Sequence, residues 1–264
     1  LNFAQNSLGL YQRQRAGHLS PRAFVRASTR LAAQQGAQII KETVAEVTPS
    51  QDGRQIQIRT LSGQQHSAGK VLLAGGGFSN CYQLLDRRLD LRVYARTVLL
   101  ARLERDAAHQ LDGMPSVIYS HSSMPDGYYL LPPIRYPDGH WYLKIGDSWR
   151  VKQLHTLGDL QRWFQSRGSM AHAARLQSAL AMIMPTLQPD ELKTDRCVTS
   201  YTASGQVYAD WLHPERAAIL AGGNGQAAKS ALEIGRIGAT LLQNAGWTYD
   251  LDPALFSAKF RTAA

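Results

Sequence analysis

The sequence predicts an α/β protein in two parts, one built on a mixed sheet with helices and the other β-rich and antiparallel. Three observations predict it. A helical segment, a β-meander and a short apolar strand follow one another over residues 21–74, β-type alternation fills residues 91–149, and Ala217–Ala221 runs through glycines into a helical stripe. At 264 residues, 44% of them hydrophobic, the chain can bury one large core or two smaller ones.

The first element is a helix entered at Ser20-Pro21, with Ser20 as N-cap and Pro21 at the first helical position. Phe24, Ala27 and Leu31 recur at helical spacing, and Gly36 is the expected stop. Strands are then expected at Ala37–Lys41, Thr43–Thr48, Gln55–Thr60 and Lys70–Ala74, with turns at Asp52-Gly53 and Ser62-Gly63. The last of these strands ends in Ala74-Gly75-Gly76-Gly77-Phe78, where glycines let another group approach the backbone closely or simply allow tight packing.

From Leu91 to Trp149 the pattern is again β, with turns expected at Pro125-Asp126-Gly127 and Pro137-Asp138-Gly139. Within it, Lys144 shares a strand face with Tyr142, opposite Leu143 and Ile145. Residues Thr156–Met184 carry a helical pattern that stops before Pro185. The final unit is the strand Ala217–Ala221, the loop Gly222-Gly223-Asn224-Gly225, and a helix with Ala227, Ala231, Ile234, Gly238 and Leu241 on one face. Its order places helix N-terminal amides at a strand end, a position suited to anionic or electron-rich groups.

Composition narrows the function classes. The net charge of +9 raises nucleic-acid binding, but Lys and Arg are spread along the chain rather than gathered on one element, so no nucleic acid is expected. No run of about 18 apolar residues exists, so no membrane span is expected. Cys81 and Cys197 stand far apart and no Cys/His ligand spacing occurs, which predicts neither a disulfide framework nor a metal site and fits a reducing, cytoplasmic compartment. The chain begins at Leu1 and its first methionine is Met114, which predicts that a preceding segment has been removed.

The motif order from about Gly17 to about Phe260 resembles the glycine oxidase and monomeric sarcosine oxidase branch of the D-amino-acid-oxidase-like flavoproteins. Gly17-His18-Leu19-Ser20-Pro21 resembles that family's entry to the helix between its domains, and Thr43–Val47 the strand whose backbone, at Val44, meets the adenine end of FAD. Ala74-Gly75-Gly76-Gly77-Phe78 resembles the family's turn against the cofactor, with Phe78 in place of tryptophan. The most specific block is Cys197-Val198-Thr199-Ser200-Tyr201-Thr202, followed by Asp210, Leu212-His213-Pro214-Glu215 and the glycine loop.

The resemblance implies a set of roles. Cofactor binding would fall to Val44, Ala74, Gly75, Gly76, Cys197, Gly222, Gly223, Asn224 and Gly225, with Cys197 where sarcosine oxidases bond the flavin covalently. Lys144 falls where the oxygen-activating lysine stands, and Lys229 where a lysine binds the substrate carboxylate. A cation beside reduced flavin stabilises the charge that develops as oxygen takes an electron, while the redox chemistry belongs to the flavin. Read without the resemblance, Cys197 is a buried structural thiol and Lys144 a solvated strand lysine.

Departures also carry meaning. The family's tyrosine two residues after the cysteine is Thr199 here, and its histidine four residues after the oxygen-site lysine is Ser148, which alters the substrate pocket. No G-x-G-x-x-G follows a strand, so the FAD-binding domain, residues 1–80 and 190–264, is expected to be incomplete beside a substrate domain at 81–189. The expected reaction is oxidation of the C–N bond of an amino acid or secondary amine by hydride transfer to flavin. This implies either a second polypeptide carrying the dinucleotide-binding half as partner or a fragment that binds FAD poorly, and a non-catalytic remnant is the alternative function.

Overall fold

The computed structural model describes residues 1–84, 86–121 and 124–262. They form two compact units: a first of residues 1–24, 95–152 and 162–197, and a second of residues 25–94, 153–161 and 198–264.

In chain order, α1 (Pro21–Gln34) is followed by β1 (Val44–Pro49), β2 (Ile56–Thr60), β3 (Gln65–Ala68) and β4 (Val71–Leu73). The Ser20 hydroxyl accepts from the Ala23 amide at 3.3 Å, the expected N-cap. No residue of α1 is buried. β1, β2 and β3 make an antiparallel meander. Periodicity misses β3, because its residues, Gln-His-Ser-Ala, carry no apolar alternation and are held by pairing with β2 alone.

The strand expected at Ala37–Lys41 does not form. Ile39 and Ile40 are exposed, and among the described residues no strand pairs with this segment. An apolar run becomes a strand only beside a partner that takes its amides and carbonyls.

β5 (Leu91–Leu103), α2 (Arg105–His109), β6 (Val117–His121), β7 (Met124–Arg135), β8 (Trp141–Asp147) and β9 (Lys152–Leu154) come next. Then follow α3 (Leu157–Gln165), α4 (Met170–Ile183) and β10 (Glu191–Thr202). These strands form one sheet in the order β10-β5-β8-β7-β6, with β9 on β5, and β5 and β10 each have residues in both units. In the first unit one sheet face packs on α4: Leu99, Ala101, Leu143, Ile145 and Leu130 meet Leu176, Leu180 and Ile183 in a single cluster. Strand alternation leaves Leu100, Lys144 and Gly146 on the other face.

The structure differs from expectation in two further places here. Pro125-Asp126-Gly127 is not the hairpin turn, because pairing runs on to His121 opposite Met124 and those residues lie within β7. The register shifts between Tyr119 and His121, and Gly127, at φ +56°, accommodates the resulting bulge. The helical stretch Thr156–Met184 is two helices, because Gly168 at φ +83° breaks it and Ser169 caps α4 by accepting from the His172 amide.

In the second unit β11 (Tyr208–His213), β12 (Ala217–Ala221) and β4 form a mixed sheet, antiparallel between β11 and β12 and parallel between β12 and β4. α5 (Ala227–Gln243) packs on it, with Gly238 close enough that a Cβ would lie 2.7 Å from Leu220 and Leu72. The α/β class, with mixed and antiparallel sheets, is therefore the one expected.

Candidate functional site

The face of the first unit's sheet turned away from α4 gathers charged and aromatic groups. Leu100 and Leu131 flank Lys144 on either side, and Tyr129 pairs with Gly146. The Tyr129 ring lies over Gly146 so closely that any Cβ there would overlap the phenol, which makes glycine a steric requirement. Lys144 Nζ lies 5.8 Å from the centroid of the same ring.

Burial pushes the Tyr129 phenol up to about 12, with Cys197 and Asp147 adding to the shift and Arg96 opposing it. Cys197 reaches solvent at its surface. Even so, desolvation of the sulfur raises its thiol, and Lys144 and Arg96 pull it back. Lys144, Tyr129, Arg96 and Cys197 are thus electrostatic neighbours, the last also tied through its carbonyl to Trp163 Nε1 at 2.9 Å.

Behind this face is a buried pair that sequence spacing did not reveal. His172 Nε2 lies 2.9 Å from both oxygens of Asp147, whose side chain is 1% exposed. Asp147 also accepts from the Trp149 amide at 3.0 Å, and the Arg175 guanidinium stacks 3.8 Å over the Trp149 ring. Arg96 donates to the Trp149 carbonyl. His172 stands 25 residues from Asp147 on another element, so only folding brings them together.

The second unit holds the two glycine turns. After β4, Ala74 and Gly75 lead into a single 3-10 turn over Gly76–Phe78, with Gly76 at φ +54° and open space where its Cβ would be. A Cβ on Gly77 would meet Val198 at 3.1 Å and Val93 at 3.4 Å. In the second turn Gly222, Asn224 and Gly225 have φ of +82°, +51° and +74°. Asn224 locks it, donating to the Gly222 carbonyl at 2.7 Å and accepting from the Thr202 amide at 3.0 Å. Its own amide donates to the Ser200 carbonyl at 2.8 Å. Gly222 is required sterically, since a Cβ would overlap the Thr202 methyl, and on Gly223 it would sit 2.5 Å from Ala227.

α5 begins at this turn without a side-chain cap and with no acidic residue in its first turn, where Lys229 is exposed. An uncapped helix start with a cation on it fits an electron-rich or anionic group, the chemistry of a flavin edge or a carboxylate. Val44 lies at the start of β1, opposite Thr60 and beside a register shift. Lys144 and Cys197 belong to the first unit, and Val44, Ala74–Gly76, the 222–225 loop and Lys229 to the second. The described residues contain no cluster suited to a metal ion, and no helix among them is long and apolar enough to cross a membrane.

The second unit thus carries a mixed sheet with two glycine turns at its strand ends, and the first unit a sheet bearing a lysine and a half-buried tyrosine, with a cysteine as their electrostatic neighbour. The model of the family described as DAO, FAD dependent oxidoreductase, matches residues 5–241, and the chain belongs to that family. FAD is the family's cofactor.

Among solved structures, a point mutant of NikD, described as an unusual amino acid oxidase essential for nikkomycin biosynthesis, is similar at TM-score 0.72 and 21% identity. That match covers 92% of this chain and 61% of NikD. A fructosyl peptide oxidase is similar at TM-score 0.71 and 18% identity, over 87% of this chain and 56% of its own. Amadoriase I from Aspergillus fumigatus, a fructosyl amine:oxygen oxidoreductase, gives TM-score 0.63 and 19% identity over 83% and 50%. The chain therefore spans 50–61% of the length of these structures. No curated protein sequence matches it significantly.

Proposed function

We propose that this chain is the substrate-side and flavin-side portion of an FAD-dependent oxidoreductase that oxidises the C–N bond of an amino acid or secondary amine. The observation that carries the reading is the Lys144–Tyr129–Cys197 face in a chain of the DAO family. In this reading residues 1–80 and 190–264 serve the cofactor and 81–189 the substrate. When bound, FAD supplies the two-electron acceptor for a hydride leaving the carbon beside the amine.

The chain's own groups do the rest. Lys144 would provide a positive charge where oxygen is reduced, and Cys197 would be one of the residues that hold the flavin. The turns at 74–76 and 222–225, with Val44, hold the cofactor by close backbone approach, and Lys229 orients a substrate carboxylate. The motif pattern resembles that of the glycine and sarcosine oxidase branch, although Thr199 and Ser148 would make sarcosine itself a poor substrate. The dinucleotide-binding portion is supplied by a joined segment or by a separate chain.

The test is a visible spectrum of the protein after incubation with FAD and desalting. Retained flavin bands that bleach on addition of an amino acid or secondary amine without oxygen are expected. Lys144→Met should then slow the return of colour on aeration and leave bleaching intact. Colourless protein after desalting would reject catalysis by this chain alone and favour a non-catalytic binding module.

A further inference from the structure

In the second unit, the segment Arg88–Arg92 and the segment Lys259–Arg261 run side by side as a short antiparallel ribbon. The Asp90 amide donates to the Lys259 carbonyl at 2.7 Å, the Arg261 amide to the Arg88 carbonyl at 2.8 Å, and Leu89 pairs with Phe260. Alternation turns Leu89 and Leu91 inward, where both are buried, and sends Arg88, Asp90 and Arg92 outward with Lys259 and Arg261. One carboxylate therefore shares that face with four cations.

A cavity of about 470 Å³ opens at the ribbon, lined by Asp90, Arg92, Gln153, Phe260, Arg261 and Thr262. That volume falls within the range of small-molecule sites. Arg261 spends one donor on the Leu91 carbonyl, at 2.9 Å, which fixes its guanidinium in place. Arg92 is exposed, and among the described residues its guanidinium forms no hydrogen bond or ion pair. The Arg87 guanidinium stacks 4.3 Å over the ring of Phe260, itself one of the lining residues. Planar guanidinium forks match phosphate oxygens, while Asp90 is an acceptor set among these donors.

We propose that this groove binds a small organic phosphate, with Arg92 and Arg261 on the phosphate and Asp90 on a hydroxyl of the same ligand. The site lies on the reverse of the ribbon that supports both glycine turns: Leu91 lies 3.3 Å from where a Cβ on Gly222 would stand, and Val93 3.4 Å from that of Gly77. Occupation of the groove would brace those turns from behind.

The experiment is titration calorimetry of the full chain without flavin, so its outcome is independent of the visible spectrum. Inorganic phosphate and glycerol phosphate are compared with acetate at matched ionic strength. One saturable site for the phosphates and none for acetate is expected, with glycerol phosphate the tighter of the two. Arg92→Ser, a surface change whose fold is checked by circular dichroism, should weaken both phosphates about tenfold or more, the scale of one lost charge-assisted bond. Asp90→Asn should reduce the preference for glycerol phosphate over inorganic phosphate. Absence of saturation, equal binding of acetate, or unchanged affinity in Arg92→Ser overturns the proposal.

Discussion

Removing the imidazole in His172→Ala strands a carboxylate. The Asp147 side chain is 1% exposed and that of His172 5%, and the ring nitrogen reaches both carboxylate oxygens at 2.9 Å. After truncation Asp147 keeps the Trp149 amide at 3.0 Å and an arginine no closer than 3.8 Å, so its charge remains buried with half its partners gone. Breaking a buried pair in this way costs about 3–5 kcal/mol, most of it the penalty on the charge left behind. Removing both members should cost much less than the sum of the single losses, because no uncompensated charge remains.

The assay is denaturant unfolding of His172→Ala, Asp147→Ala and the double variant. Trp149 reports locally, since its ring centroid lies 5.9 Å from that of His172. Two transitions are to be fitted separately, because the chain has two compact units. A loss below about 1 kcal/mol in His172→Ala, or single losses that simply add, would refute the reasoning.

Three further outcomes follow from the same geometry. Gly222→Ala combines φ +82° with overlap on Thr202, and should destabilise the second unit by about 2 kcal/mol or more, read as a lower denaturant midpoint. Tyr129 is raised to about 12 from 10 by burial, so the stability this contributes is complete below pH 10 and lost as pH rises through about 12. Phenolate absorbance should show one late-titrating tyrosine that disappears in Tyr129→Phe, and a normal titration of that residue counts against its burial. Cys197 should alkylate more slowly than a free thiol at pH 8, and Arg96→Met should slow it again by removing a cation that favours the thiolate; equal rates in the two proteins would contradict the electrostatic assignment.

Much of the fold was legible because it is local. Ser20-Pro21 announces α1, Asp52-Gly53 and Pro137-Asp138-Gly139 announce their turns, and the 227–241 stripe announces α5. The failures have physical causes. Ala37–Lys41 has strand composition without a strand beside it, and β3 has a strand beside it without strand composition. Pro125-Asp126-Gly127 has turn chemistry, which a bulge uses as readily as a hairpin.

The candidate site divides along the same line. Lys144, Cys197 and the glycine turns were found as residue types in motif order, and the family follows from that order. The partnership of Lys144 with Tyr129 and Arg96, the burial of Asp147 against His172, and the steric need for Gly146 under a phenol ring appear only when strands from distant positions pair. By itself the sequence determined which local shapes and which chemical groups this protein has, since turn, cap and alternation depend on neighbours a few residues away. Tertiary structure alone decided which groups feel one another, because charge, desolvation and steric overlap act through space and not along the chain.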